Sequence, residues 1–98
     1  MATFVSMMNF TEQGIKNIGD TTKRAAAMKT AAKKMGVKVV STYWTLGAHD
    51  GVLILEAPDG ETATAFLLQL GALGNIKTTT SRAFSASEMD QVLAKMNA

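Results

Sequence analysis

The sequence predicts an α+β fold, a ferredoxin-like βαββαβ unit with an extra C-terminal helix and a four-stranded antiparallel sheet. Three observations predict it. Val39 to Asp59 holds two β-prone runs around a Gly-containing turn, together with the chain's only Trp, Tyr, His and Pro. A helical stretch lies on each side of this hairpin, Ala- and Lys-rich before it and Leu-rich after it. A further β-prone segment lies outside each helical stretch, which gives the order strand, helix, strand, strand, helix, strand, helix.

Thr3 to Phe10 is the first strand, with Phe4, Val5, Met7, Met8 and Phe10 set around the polar Ser6 and Asn9. Apolar residues fall on both parities, so both of its faces are expected to be covered. Thr11-Glu12-Gln13-Gly14 breaks the strand. Ile15 to Ile18 makes one helical turn, Gly19-Asp20 interrupts it, and Asp20 or Thr21 is the expected N-cap of the next helix. From Thr22 to Met35, Ala25, Met28, Ala32 and Met35 recur at helical spacing, and Lys23, Arg24, Lys29, Lys33 and Lys34 fill the rest of the circumference. Gly36 is the expected C-cap. A basic helix can bind an acidic partner, but without interleaved aromatic residues these lysines read as a solvated face.

Val39 to Leu46 is the second strand, and Gly47-Ala48-His49-Asp50-Gly51 carries the turn chemistry, with Gly47 and Gly51 expected at positive φ. The third strand contains Val52-Leu53-Ile54-Leu55, apolar on both faces. Pro58 ends it, and Asp59 caps a helix with Glu61 near its positive end and a stripe of Ala63, Phe66, Leu67 and Leu70, extended by Leu73. Gly71 and Gly74 bracket the exit. Asn75 to Phe84 is the fourth strand, placing Ile76, Thr78, Thr80, Arg82 and Phe84 on one face and Lys77, Thr79, Ser81 and Ala83 on the other. Ser85-Ala86-Ser87-Glu88 is a capping box opening a last helix with Met89, Val92, Leu93 and Met96 on one side. A helix this short needs a surface to dock on.

Ninety-eight residues with 47% hydrophobic and 18% charged side chains describe one globular domain, residues 1–98, without repeat or linker. A chain of this length buries only roughly 60–70% of its unfolded surface, so an apolar sheet face left uncovered predicts a homodimer or higher oligomer. Two such sheets packed face to face form a dimeric α+β barrel with an internal cavity. The net charge of +2 comes without a basic tract, so no nucleic acid is expected as partner. Absence of cysteine excludes disulfides and thiolate chemistry, and one His with scattered carboxylates predicts neither metal nor cofactor. The N-terminus MATFVSMMNF lacks a signal-peptide pattern, and no run approaches the ~20 apolar residues of a membrane helix, so a cytoplasmic protein without membrane association is expected.

Several motifs together resemble the GYD domain family over nearly the whole chain. They are Tyr43-Trp44-Thr45-Leu46-Gly47-Ala48-His49-Asp50, Leu55-Glu56-Ala57-Pro58-Asp59, Leu73-Gly74-Asn75-Ile76-Lys77-Thr78-Thr79-Thr80 and Arg82-Ala83-Phe84. The resemblance implies a dimeric α+β barrel and brings no assigned reaction. The family signature is Gly, any residue, Tyr, Asp; Gly47 and Asp50 match it, and His49 stands in the Tyr place, so an imidazole replaces the phenol. The run from Val40 through Gly47-Ala48-His49-Asp50 into the next strand and helix, then Asn75 to Thr80, is similar to the ligand-sensing domain of leucine-responsive/AsnC-type regulators. That domain binds small effectors at subunit interfaces, and here no helix-turn-helix precedes it.

The candidate ligand-binding residues are Trp44, His49, Asp50 and Arg82, around a pocket between the sheet faces. Each also has a structural reading: Asp50 can hold the turn through backbone N–H groups, Trp44 can be core, and Arg82 can pair with Glu56. Neighbours in a strand point to opposite faces, which works against a His49–Asp50 dyad and sends Trp44 and Tyr43 to different sides. Three functions follow: a small-molecule-binding dimer; a cofactor-independent monooxygenase or isomerase acting on an aromatic or enolisable substrate, with His49 as base; or a structural oligomerisation module with a filled barrel.

Overall fold

The computed structural model describes residues 1–97. Strand β1 (Ala2–Phe10) lies inside the sheet, antiparallel to β3 (Gly51–Ala57) on one side and to β4 (Ile76–Ala83) on the other, and β2 (Lys38–Trp44) pairs with β3. The order β2-β3-β1-β4 is the ferredoxin-like antiparallel sheet expected from the alternation of elements. Four α-helices accompany it: α1 (Glu12–Lys16), α2 (Thr21–Lys34), α3 (Gly60–Ala72) and α4 (Ala86–Met96), with a 3-10 turn at Ile18–Asp20.

Register assigns every strand residue to a face. Phe4, Ser6 and Met8 of β1 lie opposite Leu55, Leu53 and Gly51 of β3 and opposite Arg82, Thr80 and Thr78 of β4, and this set faces the helices. The core is built there, from Met28 and Ala32 of α2, Ala63 and Phe66 of α3, and Val37, Leu53, Leu55 and Ala57 beneath them. Ser6 is fully buried among these apolar residues, and its hydroxyl is satisfied by Thr80 Oγ1 at 2.8 Å. The opposite parity, including Val5, Met7, Val52 and Ile54, lies on the far face; the buried core cluster is formed wholly on the helix side.

Local signals act as the sequence predicts at three helix ends. At the end of α2, Gly36 adopts φ +76°, Val37 N–H donates to Ala32 O (2.9 Å) and Gly36 N–H donates to Lys33 O (3.1 Å), a Schellman motif that turns the chain into β2. Asp59 Oδ1 accepts from Thr62 N–H at 2.8 Å, which caps α3. Ser85 and Glu88 form both bonds of the capping box that opens α4.

Other positions differ from expectation, each for an identifiable reason. Helix α1 starts at Glu12 because Thr11 Oγ1 accepts from Gly14 N–H (3.1 Å), so the expected break is itself an N-cap. Asp20 stands at the N-cap position of α2 but makes no side-chain capping bond, since the 3-10 turn already leads into the helix. Strand β2 ends at Trp44, because Thr45 N–H bonds Asp50 O (2.9 Å) and closes a loop that leaves Leu46 fully exposed. A register shift between Val39 and Ser41 marks Val40 as a bulge. Gly47 has positive φ, but Gly51 does not. Gly51 is needed for space, since a Cβ there would lie 3.0 Å from Tyr43 O and 2.9 Å from the Met8 methyl.

Helix α4 contributes nothing to the buried core and exposes Met89, Val92, Leu93 and Met96, with Phe84 beside its start. The chain is correspondingly elongated, 52 × 31 × 18 Å, with a radius of gyration of 14.8 Å where a compact chain of this length has about 12.6 Å.

Candidate functional site

Helices α2 and α3 do not close over the sheet, and an apolar cleft of about 600 Å³ opens between them. Its α2 wall is Thr21, Arg24, Ala25 and Met28, at the three- and four-residue spacing of one helix face, with Ala27 and Ala31 alongside. The small side chains of this Ala-rich helix leave unfilled the space that larger ones would take up against α3. Phe66, Gln69, Leu70 and Leu73 form the α3 wall with the same spacing. Met8, Phe10, Leu53, Thr42, Trp44 and Ile76 of the sheet make the floor.

Two sets of hydrogen bonds hold the ends of the cleft. The Trp44 indole N–H donates to Thr21 Oγ1 at 3.0 Å and ties the end of β2 to the start of α2. At the other wall, α1 grips the connection from α3 to β4: Thr11 N–H donates to Asn75 O (3.0 Å), and Gln13 Nε2 donates to Leu73 O and Asn75 Oδ1, each at 3.0 Å. Gly14 is buried against this connection, and a Cβ there would overlap the Asn75 carbonyl oxygen.

The polar groups of the cleft are few. Thr42 Oγ1 is buried and has no hydrogen-bond partner among the described residues. Arg24 is half-buried, and its guanidinium donates to Asn17 O at 2.7 Å and to Gly14 O at 3.4 Å. Among the described residues no carboxylate pairs with it; the ion pairs are Lys16–Glu12 and Arg82–Glu88. The lining contains no His, Asp, Glu, Cys, Lys or Tyr, so it supplies no group suited to proton transfer near neutral pH. No cluster of three or more His, Cys, Asp or Glu able to hold a metal ion occurs among the described residues.

The four residues singled out from the sequence do not converge in one chain. Trp44 lies on the helix face, at the rim of the cleft, and Tyr43 lies on the opposite face. His49 and Asp50 sit in the loop that docks on the end of β1. Asp50 Oδ2 accepts from Phe10 N–H at 2.8 Å, and Asp50 N–H donates to Met8 O at 2.8 Å. His49 Nδ1 lies 3.0 Å from Asn9 Oδ1. Because Asn9 Nδ2 donates to Ala48 O (3.0 Å), Asn9 Oδ1 is the acceptor and His49 Nδ1 carries the proton. The imidazole therefore has Asn9, not Asp50, as its partner.

Arg82 lies towards the opposite end of the sheet, level with Phe4. Its expected partner Glu56 is on the far face, in register with Thr3 and Lys38. Arg82 instead pairs with Glu88 Oε2 at 3.1 Å and stacks 4.6 Å from the Phe84 ring centroid. The Ser85 N–H and the Arg82 guanidinium together hold the Glu88 carboxyl below its usual range. The pair thus fastens the start of α4 to β4.

Sequence reasoning did not find Arg24 or Thr42. A signal for Arg24 existed: it stands four residues before Met28 and seven before Ala31, on the apolar stripe rather than among the solvated lysines. Thr42 reads as ordinary β-propensity, and only its burial without a partner distinguishes it.

The GYD domain family model matches residues 4–93. Among solved structures the chain is similar to MtbAldR, with a TM-score of 0.66 and 19% identity over 86% of this chain and 52% of that one. An FFRP crystal structure aligns with a TM-score of 0.60 and 19% identity, covering 86% of this chain and all (100%) of that one. TTHA0845 from Thermus thermophilus aligns with a TM-score of 0.57 and 22% identity over 88% and 96% of the two chains. The chain spans about half the length of MtbAldR, and at these identities the likeness shows the fold alone. No curated protein sequence matches it.

Proposed function

The chain belongs to the GYD domain family, and we propose that it binds a small, largely apolar molecule in the cleft between α2 and α3 and works as a cytoplasmic homodimer. The cleft is the observation that carries this reading. Its volume of about 600 Å³ falls within the range of small-molecule sites, roughly 300–1,000 Å³, and its walls are apolar with a few polar groups, as such sites are. The resemblance of the hairpin and following segments to an effector-sensing domain supports it from the sequence side. Of the four residues first singled out, Trp44 is the ligand-facing one; Asp50 holds the loop and Arg82 holds α4.

Binding is favoured over a cofactor-independent monooxygenase or isomerase by the absence of an acid–base side chain from the lining and by the engagement of His49 with Asn9. An apolar cleft of this size on the helix side favours it over a purely structural module, which has no use for one. The dimer reading rests on the apolar far face of the sheet and on the unpartnered stripe of α4.

Trp44 is the only tryptophan and is 44% exposed at the rim, so its emission reports what enters. Titration with the neutral dye Nile red is expected to shift Trp44 emission and to saturate. Ala31→Trp, which fills the cleft from the exposed side of α2, is expected to abolish dye binding without lowering Tm; the added indole is distinguished by following Nile red emission. Failure of the wild-type protein to bind, or undiminished binding by the filled variant, overturns the reading.

A further inference from the structure

We infer that α4 is the arm that closes the dimer: its apolar stripe packs on the β2 edge of a second copy of this chain, at the end of the sheet where β2 begins. The inference rests on the dimer reading above and names the surface on which α4 docks. Met89, Val92, Leu93 and Met96 recur along α4 at three- and four-residue spacing, are between 36% and 76% exposed, and take no part in the core. The capping box and the Arg82–Glu88 pair hold the start of α4, and a helix of 11 residues held only there is marginal in water. Val40 and Tyr43 form an exposed apolar patch on β2. Strands β2 and β4 are the two outer strands of the order β2-β3-β1-β4, three strand spacings or about 14 Å apart, so within one chain the two patches do not meet.

Register sets the two patches level. Ala83, at the end of β4, pairs with Thr3, Thr3 with Glu56, and Glu56 with Lys38, the first residue of β2. One row across the sheet thus runs from the start of α4 to the start of β2. When two sheets pack far face to far face with their strands aligned, a two-fold axis along the strands keeps each row at its own end and lays β4 over β2 of the second copy. The start of α4 then stands level with Lys38 and Val40 of that copy, across a sheet separation of about 10 Å. One helix, about 10 Å in diameter, spans that gap. An axis across the strands instead lays β2 over β2, reverses the rows and leaves both α4 stripes bare.

Charge selects the same axis. From Thr21 to Trp44 the chain carries Lys23, Arg24, Lys29, Lys33, Lys34 and Lys38 and no acid. Lys29 and Lys33 line, with Val37, Lys38 and Val39, a groove of about 370 Å³ along the start of β2. Pairing β2 with β2 gathers two such basic edges on one side of the dimer, which like-charge repulsion disfavours. Pairing β2 with α4 sets this edge against Glu88 and Asp90, and Asp90 has no ion-pair partner among the described residues. The contact occurs twice about the axis, so the assembly closes as a dimer. The chain exposes about 950 Å² more than a self-contained monomer of its mass, enough for a standard interface when two copies cover it.

The test uses the whole chain, which has no native cysteine, so introduced thiols report alone. Val40→Cys and Met89→Cys are made singly and together, oxidised with copper phenanthroline and run on a non-reducing gel. The double variant is expected to form a covalent dimer. Neither single variant is expected to, because under this axis the two copies of Val40 lie about 17 Å apart, too far for a disulfide. Leu93→Asp, which changes no core residue, is expected to weaken the dimer at least tenfold in sedimentation with unchanged circular dichroism. A covalent dimer of either single variant overturns the inference. So does a ladder of covalent oligomers, a double variant that stays unlinked, or an unchanged dimer affinity in Leu93→Asp, while the wild-type protein still sediments as a dimer. A wild-type monomer overturns the dimer reading together with this one.

Discussion

Replacing Ile54 by Lys is expected to convert a dimer of this protein into a folded monomer. Ile54 lies on the far face of the sheet, paired with Val5 and Ser41, and is not part of the buried core on the helix side. The chain exposes 6346 Å², whereas a self-contained monomer of 10.4 kDa exposes about 5,400 Å², an excess of about 950 Å². Two copies covering that excess bury about 1,900 Å² in total, near the upper end of standard interfaces. A two-fold interface repeats each substitution. Ile54 is already half-buried within the chain, so the interface covers only its remaining surface, about 0.5–1 kcal/mol per chain, hence about 1–2 kcal/mol per dimer and a weakening of Kd by roughly 5- to 30-fold from lost burial alone. Unpaired lysine charges in the interface add to this. Sedimentation equilibrium at micromolar concentration is the assay. The wild-type protein should sediment at about 21 kDa, twice the chain mass of 10.4 kDa, and the variant at the chain mass, with unchanged far-ultraviolet circular dichroism. A wild-type monomer refutes the dimer, and a variant that stays dimeric refutes the assignment of this face.

Two further outcomes follow from the scaffold of the cleft. Gly14→Ala sets a methyl group against the Asn75 carbonyl, part of the backbone that carries one cleft wall, and should destabilise the fold by about 1–3 kcal/mol in urea unfolding; an unchanged midpoint would show that α1 yields without cost. The second concerns acid. The Glu88 carboxyl is lowered by Ser85 N–H and Arg82, and the Asp59 carboxyl by Thr62, so both contribute stability that is fully present above their unfolded pKa values and is lost as pH falls through the lowered folded ones. Thermal stability should therefore be flat near neutral pH and decline below about pH 4.5, the ordinary glutamate value, with α4 loosening first because it lacks core contacts. Glu88→Gln should remove part of that acid dependence; an identical pH profile would argue against the role of the cap.

The order of elements was legible in the chain because the signals for them are local. The short apolar runs of β1 and β3, Gly36 at a position of positive φ, Asp59 three residues before Thr62, and Ser85 three before Glu88 each act within a few residues of themselves. The division of β4 into two faces was legible for the same reason, since the two-residue period of a strand admits no other grouping. Which of those faces meets the helices was not legible, because both parities of β1 and β3 are apolar and periodicity alone is symmetric between them. That choice is tertiary. It sends Arg82 towards Glu88 rather than Glu56, and Trp44 to the helix side with Tyr43 on the other. The loop residues His49 and Asp50 carry the most conspicuous chemistry in the sequence, yet packing against β1 engages them with Asn9 and the Phe10 backbone. The cleft was invisible for a related reason. An Ala-rich helix reads as a good helix former, and whether its small side chains produce close packing or a cavity depends on how far α3 stands from it, a distance fixed by the α1 grip on Leu73 and Asn75 and not by any pattern within α2.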